Sequence, residues 1–180
     1  MSLLEKYRKE VVPEMKKIFG YKNYLQTPKI KKVVINIGIG KNVKEPNIIE
    51  IAENTLTRIS GQKPIKTKAK QSISSFKTRK GMIIGLAVTI RGKRMYDFLE
   101  KLIDITLPRV RDFRGLSPKS LDGKGNLSIG FKEYIAFPEI KLEEIERSYG
   151  LEVSIATTAK NNREGLELFK LLGFPFKNAD

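Results

Sequence analysis

Four stretches of this chain alternate between aliphatic residues and very small or polar ones, and that alternation constrains the fold more than any other feature. Successive side chains of a strand point to opposite faces, so each stretch reads as two separate sets. Val33, Ile35, Ile37 and Ile39 oppose Val34, Asn36, Gly38 and Gly40. Leu86, Val88 and Ile90 oppose Gly85, Ala87, Thr89 and Arg91. Leu127, Ile129 and Phe131 oppose Asn126, Ser128, Gly130 and Lys132, and Leu151, Val153 and Ile155 oppose Glu152, Ser154 and Ala156. One face of the resulting sheet must be buried. The other is lined by Gly, Ala, Ser and Thr with an isolated Asn or Arg.

Helical spacing accounts for the burial partners. Leu4, Tyr7, Val11, Met15, Ile18 and Phe19 recur every three or four residues and predict a helix over 3–19, with a kink or restart at Pro13. Residues 46–60 predict a second helix ended by Gly61, residues 93–107 a third stopped by Pro108, and residues 162–172 a fourth before Gly173 and Pro175. One helical turn or more is expected over 143–148. Strands are expected over 29–40, 65–68, 82–91, 126–135 and 151–157. Residues 71–81, polar, basic and serine-rich, read as a mobile loop, and residues 112–124 as a long irregular stretch. There is no strict βαβ rhythm and no repeat. The expectation is one α+β domain over residues 1–180, with a mainly antiparallel sheet, helices on one face and the other face open.

A face left to water has no need of glycine, which weakens strands. Small residues let a large object approach the backbone, whether another part of the same chain or a separate molecule. Charge favours the separate molecule. Asn54 to Tyr96 carries eleven Lys and Arg and no Asp or Glu, in a chain of 180 residues with formal charge +15. A single-sign block repels itself, and its natural counterpart is a polyanion. A merely solubilising run is the plainer reading. An anionic membrane surface would need an amphipathic basic helix, and Pro64, Gly81 and Gly85 interrupt the block. The small face has no aromatic residue, so bases are not stacked there. It suits the shape and sugar–phosphate surface of a folded RNA, with Asn36 and Thr89 able to bond a 2′-hydroxyl and Arg91 a phosphate.

Other chemistry finds little support. The chain has no Cys and no His, which removes thiolate nucleophiles, the usual zinc ligands and the commonest general base. Gly38-Ile39-Gly40-Lys41 lacks the glycine spacing and the following hydroxyl of a phosphate-binding loop, since Asn42 comes next. Asp122-Gly123-Lys124-Gly125 reads as a turn, and Glu139, Glu143, Glu144 and Glu146 as a solvated acidic face rather than a metal site. No metal, cofactor, small-molecule substrate or membrane is expected. No apolar run is long enough to span a bilayer, and the N-terminus has no secretory h-region, so the compartment is read as the cytoplasm.

Longer segments carry a resemblance. KVVINIGIGKNV (32–43), ISGQKPIKTKAKQSISSFKTRKG (59–81), VTIRGKRMYDFLEKLI (88–103), LPRVRDFRGLSPKSLDGKGNLSIG (107–130), FPEI (137–140) and IATTAK (155–160) are similar, in this order, to the bacterial form of the large ribosomal subunit protein five family. The resemblance implies a non-enzymatic ribosomal protein that holds 5S rRNA against 23S rRNA in the central protuberance. It implies contact with 5S rRNA at Asn36, Gln62, Lys63, Thr89 and Arg91. The loop at about 70–81 would approach P-site tRNA through Lys70, Ser74, Lys77, Thr78, Arg79 and Lys80. A bridge to small-subunit protein thirteen would lie around residues 109–119. Two alternatives stand beside it: a nucleic-acid-processing enzyme using Lys and carboxylates such as Asp112 or Asp122 with a hard cation, and a free RNA or DNA chaperone outside any stable particle.

Overall fold

A computed structural model describes residues 1–40, 46–140 and 149–177; of Pro46 only the backbone is described. The turn expected over 143–148, the glutamates 143, 144 and 146, and Lys41 and Asn42 lie outside the described residues.

The fold is α+β, with one five-strand antiparallel sheet and four helices among the described residues. Strands β1 (Ile30–Gly38), β2 (Ile65–Lys68), β3 (Ile83–Ile90), β4 (Leu127–Phe131) and β5 (Leu151–Thr157) stand in the order β2-β3-β1-β5-β4. Helix α1 runs through residues 3–19, α2 is Pro46–Ser60, α3 runs through residues 92–109, and α4 is Asn162–Leu172. Backbone contacts divide the chain into two compact units. Unit one is Met1–Val33, Ile90–Ile129 and Ser154–Asp180; unit two is Val34–Thr89 and Gly130–Val153.

In unit one, Val11, Met15, Met95, Leu99, Leu102, Leu168 and Phe169 form much of the core with Val33, Leu127 and Ile155 from the strands. Two of its helices are capped by their own sequence. Ser2 and Glu5 make a reciprocal capping box, Gly20 closes a run of helix at φ 67°, and the Asn161 side chain accepts from the Glu164 amide at 2.9 Å. Gly165 lets α4 settle on the 122–126 turn: a Cβ there would lie 2.6 Å from the Gly125 Cα. In unit two, Ala52, Leu56 and Ile59 of α2 are buried along with Ile35, Ile37, Leu86, Val88, Phe131, Phe137 and Val153.

Several boundaries differ from expectation. The α-helix restarts at Val12 with Pro13 in its first turn, as expected, whereas Pro108 does not stop the third helix, which runs on to Arg109. In each case a π-helical turn precedes the proline: Tyr7–Val11 before Pro13, and Leu102–Thr106 before Pro108. The Val12 amide donates to the Tyr7 carbonyl, and the Leu107 amide to that of Leu102, five residues back. The extra residue in the turn shifts the carbonyl row that a proline ring would strike, and the proline then sits in the first turn of resumed helix, where its missing N–H is harmless. The strand expected over 126–135 ends at Phe131 and gives way to a 3₁₀ turn, Tyr134–Ala136, in which both Tyr134 and Ala136 are buried. Segment 112–124 is irregular as expected. It is pinned at Leu116, whose amide donates to the Pro175 carbonyl and whose carbonyl accepts from Lys177.

Candidate nucleic-acid interface

The two faces of the strands differ in burial as the alternation predicts. In unit two, Ile35, Ile37, Leu86, Val88, Phe131 and Val153 are buried, whereas Gly38, Thr89, Gly130 and Glu152 are exposed and Asn36 and Ala87 half-buried. In unit one, Leu127, Ile129 and Ile155 are buried, Ser128 is exposed, and Ser154 and Ala156 are half-buried. The Ser128 and Ser154 hydroxyls lie 3.1 Å apart.

The glycines of the small face divide by cause. Among the described residues a Cβ on Gly38 or Gly130 would meet nothing within 4 Å. The chain's own packing therefore asks for no glycine at either position. Gly85 is the reverse. It is buried, and a Cβ there would lie 2.8 Å from the Ile37 carbonyl oxygen and 2.8 Å from the Thr67 hydroxyl. Thr67 faces Gly85 across the β2–β3 pairing, and the register slips between Thr67 and Lys68 so that Lys68 faces Ile83. That bulge crowds the strands and explains Gly85 by close backbone approach. Its place among the outward small residues is thus corrected: it serves the fold.

Four predicted recognition residues lie in unit two. Among the described residues no hydrogen bond engages the side chain of Asn36 or Thr89, so both groups keep their capacity for an outside partner. Gln62 follows α2 through Gly61, at φ 68°, and its Nε2 donates to the Thr89 carbonyl at 3.3 Å. Its backbone amide donates to Ser60 Oγ at 3.2 Å, fixing the turn. The structure thereby brings Gln62 and Thr89 together. Lys63 is exposed, with its Nζ 4.0 Å from Glu53 Oε1, while Lys66 Nζ is 2.9 Å from Glu53 Oε2. The hydrogen bond from Lys66 holds the Glu53 carboxyl below the usual carboxylate range. A charge count that begins at Asn54 stops one residue short of this neutralising group.

Arg91 lies in unit one, exposed, at the N-cap of α3. Its side chain makes no capping bond, and the first turn contains Lys93 and Arg94 and no acid. A helix start carries partial positive charge of its own, so three cations there gain from an anion such as a phosphate. Asn126 contrasts with Asn36. Its Oδ1 accepts from the Thr157 amide at 2.8 Å and its Nδ2 donates to Asp122 at 2.7 Å, so its amide is consumed within the chain. That same Asn126 bond keeps the Asp122 carboxyl low.

The segment expected as a mobile loop is a loop that folds back on itself as a hydrogen-bonded hairpin. Ala69 and Met82 pair through a 2.8 Å bond, Ile73 and Thr78 exchange bonds of 3.1 and 3.2 Å, and the Lys80 amide donates to Ser72 Oγ at 2.9 Å. Lys77 closes the tip at φ 53°, its amide donating to Ser74. Lys70, Ser74, Lys77, Arg79 and Lys80 are exposed and Thr78 half-buried. Phe76, at the tip, is 71% exposed.

Among the described residues no three acidic side chains gather as a metal site, and no helix is long and apolar enough to cross a membrane.

Comparison with known proteins extends over nearly all of the chain. Residues 23–79 match the family described as ribosomal protein L5, and residues 83–176 match the C-terminus of the same ribosomal family. The chain is 57% identical to large ribosomal subunit protein uL5 of Dictyoglomus turgidum, over 97% of this chain and 98% of that one. It is 56% identical to the uL5 protein of Kosmotoga olearia over 98% of this chain and 97% of that one. With the uL5 protein of Thermoanaerobacter sp. it shares 55% identity over 97% of each.

Proposed function

The chain belongs to the ribosomal protein L5 family, and from that membership we propose that its small-residue sheet face binds 5S rRNA and attaches it to 23S rRNA. It is a structural protein of the large ribosomal subunit, at work in the cytoplasmic ribosome, and not an enzyme. That membership sets aside both the nuclease reading and the free chaperone.

The observation that carries the RNA reading is the pair of glycines, Gly38 and Gly130, that the chain's own packing does not require. Asn36 and Thr89 supply unengaged polar groups on the same side of their strands, and Gln62 is held beside Thr89. Lys63 and Arg91 add cations at the ends of β-structure. Recognition then works by shape and by bonds to sugar and base edges, with phosphate contacts setting position. The hairpin cations Lys70, Lys77, Arg79 and Lys80, with Ser74 and Thr78, would meet P-site tRNA. Exposed Arg109, Arg111, Arg114 and Lys119 suit the contact with small-subunit protein thirteen. Residues 1–180 would act as one RNA-binding domain.

The test is Gly38→Val. The Cβ of the new side chain meets nothing within 4 Å among the described residues, so the melting temperature should stay within about two degrees. Affinity for isolated 5S rRNA should fall by roughly tenfold or more, because the added side chain stands where the RNA backbone must lie. Unchanged affinity in a folded Gly38→Val protein would remove the sheet face from the interface. Asn36→Ala and Thr89→Ala should also weaken binding, with little change in its salt dependence.

A further inference from the structure

A second concavity lies in unit one, away in sequence from every residue assigned above. It has a volume of about 650 Å³ and is lined by Pro13, Lys16, Lys17, Tyr21, Lys22 and Tyr24. The elements that build it are the last turns of α1, its left-handed Gly20 cap, and the 3₁₀ turn Tyr24–Gln26. Asn23 fixes that turn by accepting from the Leu25 amide at 3.0 Å.

The side chains form an unusual set for a surface hollow. Tyr24 is 59% exposed and carries the Lys16 ammonium 4.3 Å from its ring centroid. Tyr21 is spent as a wall, since its ring stacks on Phe19 at 5.7 Å. Leu25, beside Tyr24, is 90% exposed. Lys17 is paired with Glu14 at 3.1 Å, but among the described residues neither Lys16 nor Lys22 reaches an acid. An exposed aromatic ring ringed by unneutralised lysines is the composition with which proteins hold single-stranded nucleic acid: the ring stacks a base while the cations hold its phosphates. A duplex offers no free base to such a ring. The sheet face, which lacks aromatics, cannot do this work.

We propose that this hollow is a separate site for one unpaired nucleotide of RNA, its base stacked on Tyr24 in place of the Lys16 ammonium, which with Lys22 then holds the phosphate. The site goes beyond the sheet-face reading and does not depend on it. The experiment titrates the full chain with a short oligouridine and follows the ring resonances of its six tyrosines. The Tyr24 ring signals should shift upfield and saturate. Tyr24→Leu should weaken oligouridine binding roughly tenfold, whereas Tyr24→Phe should stay within about twofold, since stacking does not need the hydroxyl. Lys16→Gln with Lys22→Gln should lower the log–log salt slope by about 1.4. Thr89→Ala should leave the Tyr24 shifts in place, so a failure of the sheet-face reading would not disturb this result. The proposal is overturned if Tyr24 signals stay still while other resonances move. It is also overturned if a folded Tyr24→Leu protein binds oligouridine as the parent does, or if a duplex moves the Tyr24 ring equally.

Discussion

Around Asn36 and Thr89 the exposed groups of the strands are backbone, amide, hydroxyl and bare glycine; on the hairpin between Ala69 and Met82 they are ammonium and guanidinium groups on long stems. The two regions lie in one compact unit, and on the proposed function they would meet the same kind of partner by different physics. Small groups on a pleated surface recognise by fit, and a fit is lost to one misplaced methyl but barely responds to salt. Long cations recognise by counterion release, which tolerates misplacement and is strongly salt-dependent. The strands gain their precision from burial of their other side. The hairpin gains its shape from backbone bonds and one left-handed residue, Lys77, with little apolar burial.

The sharpest way to break this comparison is to change the two kinds of glycine in the same strands. Gly85→Val should destabilise the protein by about 3 kcal/mol, because the new Cβ would sit 2.8 Å from both the Ile37 carbonyl and the Thr67 hydroxyl. Thermal unfolding should show a drop of many degrees, against almost none for Gly38→Val. If Gly85→Val melts like the parent, the crowded bulge is not what requires glycine there. The small face would then be uniform in purpose after all.

Much of this was open to sequence reasoning. The alternation places the four longer strands, because a period of two survives any packing detail, and burial follows it at most positions; Gly85 is buried on the small face, and the short β2, exposed or half-buried throughout, lies outside the pattern. What the alternation cannot convey is why a given position is small. Gly38 and Gly85 read alike in the sequence, and only the bulge at Thr67 separates them. Proline misleads for a related reason. Its usual effect on a helix holds for a regular α ladder, whereas here π turns precede both prolines, so Pro13 marks a restart, as expected, while Pro108 does not end its helix. The hairpin escaped notice because Ile73 and Thr78 form a single isolated bridge, too short for any periodic signal. The Tyr24 hollow joins a helix end to a short 3₁₀ turn, and the turn carries no periodic signal.

A second comparison turns on salt. Lys77, Arg79 and Lys80 changed together to Ala should leave binding to isolated 5S rRNA nearly intact and weaken contact with tRNA. Each lost phosphate contact removes ~0.7–0.9 from the log–log slope, so the tRNA slope should fall by about 2. Affinity measured across a salt series for both RNAs reads this directly. Loss of 5S rRNA binding in this triple variant would move the hairpin into the same interface as the strands, and the contrast between the two regions would vanish.

The smallest effect belongs to Glu53, which holds Lys66 at 2.9 Å and Lys63 at 4.0 Å and so competes with any phosphate for those two ammonium groups. Glu53→Gln should raise RNA affinity a few-fold at low salt, an advantage that fades as salt rises. The same change should cost a little stability. Because the carboxyl is held low by Lys66, its contribution is present above the ordinary carboxylate value of 4.5 and is lost as pH falls through the lower value it has in the folded protein. Unfolding measured between neutral and acidic pH should therefore show the parent's advantage over Glu53→Gln at pH 7 shrinking below about pH 4. Opposite signs in the two measurements would identify Lys63 and Lys66 as cations held in reserve for RNA. A Glu53→Gln protein that loses RNA affinity would instead mean that the carboxylate positions these lysines, and that the strand side of the comparison carries more of the electrostatics than its small side chains suggest.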